Sequence, residues 1–329
     1  MRLLSEADVE RLTDPELAIR AAAEAFRMQA AGAAAGPGAL GRLDLRQPGA
    51  GLLALAGFEG DSLLVKTNVH AHPAGGHRKG GSLVTLWDAA QARPVALIAA
   101  RGFNGHRTAA GFAAAARLLA RADAAVLTVF GAGRLARSTL RYLVGVRPIR
   151  RALIVGRTPG RAEALAAEAR TWTGFDRVAV EACDDPAEAA ACADIIATTT
   201  TADNPVFPGA VVRPGTFVVL GGANRPTARE ADDDLIRRAM IYPDHRKEAL
   251  AKAGDLMLPL AAGTIKGKAI GAEIGALLGG PAPALPAGFV SVFKSIGIAR
   301  QDLMLAQALL RRAEQQGVGT VLDLEGLAA

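Results

Sequence analysis

An α/β fold is predicted by three features of the sequence. The apolar run 125–130 passes directly into a glycine turn, Gly131-Ala132-Gly133-Arg134-Leu135-Ala136, that opens a helix. From there strand-like and helix-like segments alternate as far as residue 220, the pattern of βαβ units and a parallel sheet with right-handed crossovers. The first hundred residues read differently, as sheet with one leading helix.

Taken in order, Thr13-Asp14-Pro15-Glu16 reads as a capping box that starts a helix running to about residue 31, ended by the glycine-rich stretch 32–41. Strand segments are expected around 51–56, 62–68, 83–87 and 94–100, then a helix over about 107–121. The alternating part gives strands at 125–130, 151–155, 177–182, 195–200 and 216–220, with helices at 134–144, 160–170 and 186–191. The run 274–293 lacks charge and is long enough to span a bilayer, but Pro281, Pro283, Pro286 and Gly279-Gly280 make it a connector. An amphipathic helix over 298–313 is expected to return the chain to its first domain. The domains expected are therefore 1–119, 120–293 and 294–329, the first and last forming one unit around the middle one.

Composition narrows the function. At 329 residues and 50% hydrophobic, the chain can bury real cores. Its net charge of +6 comes from scattered arginines, and aromatics are only 4%, so nucleic acid is not expected as a partner and a small anionic substrate is. Glu6, Asp8 and Glu10 interrupt the place of a signal peptide, so a cytoplasmic protein with no membrane partner is expected. The two cysteines, Cys183 and Cys192, lack metal or redox spacing and read as small apolar fillers. His70, His72, His77 and His106 have no acid nearby to complete a metal site, so no metal is expected, and His106 beside Arg107 is a candidate proton relay or mere helix decoration.

The glycine turn carries the first chemistry. Dinucleotide sites need a glycine for the tight turn, a second to admit the pyrophosphate and a small third residue where helix meets strand. Gly131, Gly133 and Ala136 fill these places, and the amides of Arg134 and Leu135 open the helix toward a phosphate. The middle domain is thus read as a Rossmann domain. An NAD-selective site usually ends its second strand in Asp or Glu, about twenty residues past the glycines. Here that strand ends Val155-Gly156-Arg157-Thr158, so a 2′-phosphate is expected and NADPH is favoured over NADH. The alternative is a solvated Arg157 and a Thr158 that merely begins the next helix.

Three cations outside this domain could hold an acid: Arg42 before a strand, Lys66 after Leu63-Leu64-Val65, and Arg107, which with Thr108 opens an alanine-rich helix. A lysine following three apolar residues must either snorkel or meet a charge. Arg107 could meet an anion together with free helix amides, or be an ordinary surface arginine.

Together these segments resemble the ornithine cyclodeaminase/mu-crystallin family. The residues that carry the resemblance are the Arg42, Leu55, Lys66 spacing, Arg107-Thr108-Ala109-Ala110, the Gly131 loop, Gly222-Ala223-Asn224-Arg225-Pro226 with Glu230, and Lys294-Ser295-Ile296-Gly297-Ile298-Ala299 with Asp302. It implies a substrate-binding and dimerisation domain of α+β type around the inserted Rossmann domain, hence a homodimer. It implies that Arg42, Lys66 and Arg107 bind the substrate carboxylate, with Arg107 and Thr108 also near the cofactor. Thr199, Thr200, Leu220, Gly221 and Ser295 would surround the nicotinamide, Ile296 would touch the substrate, and Ser82 matches the family's hydroxyl near the cofactor.

Ornithine cyclodeaminases carry an aspartate where this chain has Asn224. A neutral amide can neither accept a proton nor pair with a second amine. The resemblance therefore points to the ketimine reductase branch, which reduces Δ1-pyrroline-2-carboxylate or Δ1-piperideine-2-carboxylate to L-proline or L-pipecolate, with Lys66 and Asn224 at the catalytic positions. Three cations exceed what one carboxylate needs, which keeps reduction of an acyclic imine such as iminosuccinate open. Alanine-dehydrogenase-like chemistry, cyclodeamination and a non-enzymatic binding protein remain the other readings.

Overall fold

The computed structural model describes residues 1–32, 40–71 and 79–323, with the backbone alone at Leu40 and Arg42. The chain opens with β1 (Arg2–Leu4), α1 (Glu6–Leu12) and α2 (Pro15–Ala30), then four long strands, β2 (Leu40–Gln47), β3 (Ala50–Glu59), β4 (Ser62–Ala71) and β5 (Lys79–Asp88). After β6 (Arg93–Ala99) and α3 (Ala100–Leu119) come β7 (Val126–Phe130), α4 (Arg134–Val144), β8 (Arg151–Val155), α5 (Pro159–Ala169), β9 (Ala179–Ala182), α6 (Pro186–Cys192), β10 (Ile195–Thr198) and β11 (Phe217–Leu220). The remainder is α7 (Asp233–Arg237), β12 (Ala239–Pro243), α8 (Arg246–Lys252), α9 (Gly254–Ala261), α10 (Ile274–Leu277), β13 (Val290–Lys294), α11 (Ala299–Gln316) and β14 (Thr320–Val321).

The backbone divides into two units. One comprises residues 1–107 and 298–329, the other residues 108–297. The sequence reading places these divisions at 119/120 and 293/294.

The first unit is a seven-stranded sheet in the order β14-β1-β6-β5-β4-β3-β2, antiparallel except where β1 pairs with β6. Successive residues of a strand face opposite sides. Leu55, Lys66 and Val84 stand opposite one another on the side where α11 packs across β3, β4 and β5, with α2 against α11. On the other side Leu43, Leu45, Phe58, Val69 and Leu83 stay 45–55% exposed.

The second unit is an all-parallel sheet in the order β12-β13-β11-β10-β7-β8-β9. Helices cover such sheets on both faces, so their strands read as continuous apolar runs. Ile195 to Thr198 and Phe217 to Leu220 are buried at every position. Each large apolar side chain so placed contributes about 1.5–3 kcal/mol. The order reverses direction between β7 and β10, the switch point at which α/β sheets bind ligands.

Several local expectations are corrected by particular contacts. The cap of α2 is Asp14, whose carboxylate accepts from the Glu16 amide, while the Thr13 hydroxyl donates back to Val9 O at 2.6 Å. The sequence reading contains no α1, although Ser5 and Asp8 form its capping box. Arg42 lies inside β2, opposite Leu55, and not before a strand.

Helix α3 starts at Ala100, two turns earlier than expected. The Glu6 carboxylate accepts from the amides of Arg101 and Gly102 at 2.9 and 2.8 Å, so a residue distant in sequence supplies the N-terminal cap. Arg107 is therefore mid-helix, and the idea that it meets an anion beside free helix amides does not hold. Part of the expected connector 274–293 is β13, a wholly buried central strand between β12 and β11. Among the described residues no helix is long and apolar enough to cross a membrane.

Candidate functional site

In the first unit a charged group forms on the helix-covered side of the sheet. Lys66, 1% exposed, meets a charge and does not snorkel: its Nζ donates to Asp302 Oδ2 at 2.7 Å. Arg107 Nε lies 3.2 Å from the other oxygen of Asp302. That approach is an ion contact without hydrogen-bond geometry, and it leaves Arg107 Nε and Asp302 Oδ1 buried without a hydrogen bond. Asp302 stands in the first turn of α11, where the helix dipole favours a carboxylate. Next to it Gln301 accepts from the Ile298 amide (3.2 Å) and donates to Arg107 O (3.4 Å), tying the start of α11 to the backbone of Arg107.

Neutral polar groups continue the same face. Asn68 follows Lys66 by two residues on β4, and Ser82 stands directly across from it on β5. Ser82 Oγ donates to Asn68 Oδ1 at 2.7 Å, and Asn104 Nδ2 reaches both Ser82 Oγ (3.0 Å) and Asn68 Oδ1 (3.3 Å). Asn104 precedes Arg107 by three residues on α3, so helical spacing puts both on one face. Thr108 follows, half-buried. The Arg42 side chain, with His72 and His77, lies outside the described residues. His70 pairs across the strands with Gly51, and His106 Nε2 contacts Glu10 Oε1 at 3.2 Å. No group of three His, Cys, Asp or Glu side chains suited to a metal occurs among the described residues.

In the second unit the glycine turn separates into two requirements. Gly131 is demanded by the fold itself: its φ is +119°, and a Cβ there would lie 2.4 Å from Thr199 Oγ1. A Cβ on Gly133 would meet nothing within 4 Å. Packing gives no reason for the second glycine, and approach of a dinucleotide phosphate does. Helix α4 has no side-chain cap at Gly133, so the first amides of Arg134 and Leu135 are not taken by one. The residues thus fit a dinucleotide. At the end of β8, Arg157 and Thr158 are both exposed, and Thr158 does not cap α5 with its hydroxyl.

The loops at the carboxyl ends of β10, β11 and β13 hang from buried acids. Glu230, 0% exposed, accepts from Thr198 Oγ1 (2.7 Å), the amides of Gly222 (2.7 Å), Ala223 (3.0 Å) and Thr200 (2.8 Å), and Thr200 Oγ1 (2.7 Å). Asp255 accepts from the amides of Glu230 and Ala231 and from Lys294 Nζ (2.8 Å), which also donates to Ala223 O (2.7 Å). Asp244 accepts from Ser295 Oγ and from the amides of Ile296 and Gly297 through one oxygen, and from the His245 amide through the other. Burial pushes the Asp244 carboxyl above its usual range, against these hydrogen bonds.

Of the residues assigned to the nicotinamide, Thr199 donates to Phe130 O and Thr200 to Glu230. The Leu220 side chain is core, and its carbonyl accepts from the Ser295 amide. Gly221 is pressed against the Phe112 ring, and Ser295 is buried. Asn224 is exposed, and the amide orientation that satisfies its surroundings donates to Ala223 O at 3.0 Å and Ser295 O at 3.1 Å. A carboxylate in that place would face two carbonyl oxygens.

The sequence reading gives no separate role to Asp302, Asn68, Asn104, Asp244 or Asp255. The one signal available is Lys66 itself, whose apolar neighbours require a counter-charge without saying which acid supplies it.

The second unit, with its switch-point glycines and parallel order, belongs to the dinucleotide-binding class of dehydrogenase folds. The whole chain is a member of the ornithine cyclodeaminase/mu-crystallin family, whose profile it matches over residues 2–317. It is 31% identical over 269 residues to a Δ1-pyrroline-2-carboxylate reductase of Bacillus cereus, covering 81% of this chain and 82% of that one. Among solved structures, Δ1-pyrroline-2-carboxylate reductase of Thermococcus litoralis in complex with NADH and L-proline is similar with a TM-score of 0.86 and 26% identity, over 98% of this chain and 100% of that one. The iminosuccinate reductase of Paracoccus denitrificans in complex with NAD+ is similar with a TM-score of 0.85 and 25% identity, over 98% and 99%.

Proposed function

We propose that this chain is an NAD(P)H-dependent ketimine reductase that converts Δ1-pyrroline-2-carboxylate or Δ1-piperideine-2-carboxylate to L-proline or L-pipecolate. The observation that carries the choice of reaction is Asn224. Its amide donates to two backbone carbonyls, so the loop is built for a neutral group where cyclodeamination needs an acid. The Bacillus and Thermococcus relatives support the same substrate class.

A nicotinamide held at the glycine turn would supply the hydride that reduces the C2 carbon of the imine. Lys66 and Arg107, with Arg42, hold the substrate carboxylate and so fix the face of the C=N bond that is offered, a positioning contribution. The electron pair of the double bond passes to a nitrogen that carries its proton before reduction. Gly131, Gly133 and the amides of Arg134 and Leu135 receive the pyrophosphate. Arg157 and Thr158 stand for a 2′-phosphate, which favours NADPH, although the two cited solved relatives hold NADH and NAD+.

The protein acts as a homodimer in this reading. The exposed apolar side of the first unit's sheet, with Leu43, Leu45, Phe58, Val69 and Leu83, is the surface a second copy would cover.

The deciding experiment measures turnover of Δ1-pyrroline-2-carboxylate, Δ1-piperideine-2-carboxylate and iminosuccinate, each with NADPH and NADH. The expected result is reduction of at least one cyclic ketimine with a higher kcat/KM for NADPH. Absence of turnover of both ketimines would sink the reading.

A further inference from the structure

We propose that Asp302 is a positioning residue that lowers the positive charge of the substrate group and so shifts its preference from a dicarboxylate imine toward a monocarboxylate one. The inference rests on the reductase reading above and deepens it.

Among the described side chains the group consists of two cations, Lys66 and Arg107, on the two oxygens of one carboxylate. Asp302 is fully buried, and Lys66 is nearly so. Charges so placed are screened far less than surface charges, and one unit of charge a few ångströms from a bound carboxylate changes its binding by roughly tenfold or more. Asp302 cancels one unit of positive charge in this group, and its loss leaves Lys66 and Arg107 with none of their charge offset by it.

The geometry also fits a role in positioning. Asp302 holds Lys66 through a short hydrogen bond but meets Arg107 only by an ion contact, with both facing atoms buried and unbonded. Arg107 is the more exposed of the two cations, at 17% against 2% for Lys66. Asp302 therefore fixes one cation rigidly and leaves the other without a hydrogen bond at Nε. The surplus of cations in the sequence, which kept a dicarboxylate substrate open, is reduced by an acid that comes from the last helix.

The test compares the parent with Asp302→Asn. Asn keeps the shape and removes one negative charge. The kcat/KM ratio of iminosuccinate to Δ1-pyrroline-2-carboxylate is expected to rise about tenfold or more in D302N, and the affinity of the NADP+-saturated protein for L-aspartate relative to L-proline, by calorimetry, is expected to rise with it. General damage lowers both substrates together and leaves the ratio alone. A ratio that moves less than threefold in folded D302N, judged by circular dichroism, overturns the proposal.

A charge rescue gives an independent arm should D302N fail to fold. Lys66→Gln removes one cation and is expected to weaken L-proline binding at least tenfold. The double variant Lys66→Gln with Asp302→Asn replaces the ion pair by a neutral hydrogen-bonded pair and is expected to recover most of that binding. No recovery overturns the proposal. If the parent reduces none of the imines, the reductase reading falls by itself, while the calorimetric ratio and the rescue still decide the role of Asp302.

Discussion

Among the described residues two lysine–aspartate pairs are buried, and they differ in how completely they are satisfied. In the second unit Lys294 and Asp255 are both inaccessible, and both Asp255 oxygens are taken up by Lys294 and by the amides of Glu230 and Ala231. In the first unit Asp302 holds Lys66, yet its other oxygen and the facing Arg107 Nε are buried without hydrogen bonds. Fully paired buried charges rigidify a fold, whereas a partly paired one keeps electrostatic capacity in reserve. The first arrangement is architecture beneath a loop, and the second has capacity left for a ligand. The same contrast separates Gly131, which the backbone and Thr199 require, from Gly133, where an added Cβ would touch none of the described residues.

The largest expected effect follows from stranding an acid. Lys294→Met leaves Asp255 buried with no cation and should cost about 3–5 kcal/mol in denaturant unfolding. Lys66→Met leaves Asp302 beside Arg107, so its stability loss should be clearly smaller while kcat/KM falls by roughly a hundredfold or more. Equal losses of stability would break the comparison. Next in size, Arg157→Ala should weaken NADPH by about 1.5–3 kcal/mol, a factor of roughly 10 to 100, and leave NADH unchanged. Equal weakening of both cofactors in a fluorescence titration would remove Arg157 from the 2′-phosphate. Gly133→Val should weaken both cofactors by about 1 kcal/mol with little change in Tm, whereas Gly131→Ala should lower stability by about 1–3 kcal/mol.

The smallest effect concerns pH. Burial holds the Asp244 carboxyl above its usual range, so the folded protein binds that proton at pH values where the unfolded chain has released it. Its contribution to stability therefore falls as pH rises from the ordinary carboxylate range, about 4, through the raised value, and returns on acidification. The Tm of the parent minus that of Asp244→Asn should become more positive as the pH is lowered from neutrality. A flat difference would mean that the carboxyl titrates normally.

Legibility in the sequence followed the range of the interactions. The parallel strands β7 to β11 are legible because burial on both faces leaves continuous apolar runs such as Val126 to Phe130, whereas β12 and β13 are not read from the sequence. Helix α3 begins two turns before its local sequence signals it, because Gly102 and Gly105 weaken a helix locally and its cap, Glu6, lies on another helix. β13 was hidden by the prolines that precede it. The candidate cations Lys66 and Arg107 were visible, one from its apolar neighbours and both from family resemblance. The acid between them is visible only as part of a motif, because a contact spanning 236 residues leaves no local trace.

The path of the chain has a consequence for its biosynthesis. The first unit is begun before residue 108 and finished only after residue 297, when α11 and β14 supply Asp302 and the strand that pairs with β1. A growing chain therefore makes Lys66 and Arg107 long before their counter-ion exists, and the inserted unit, whose residues are contiguous, can close first. A nascent or truncated chain ending before residue 302 would carry two cations destined for burial with no Asp302 to receive them. Closure of the first unit therefore waits for the segment from residue 298 onward, however early its first strands are made.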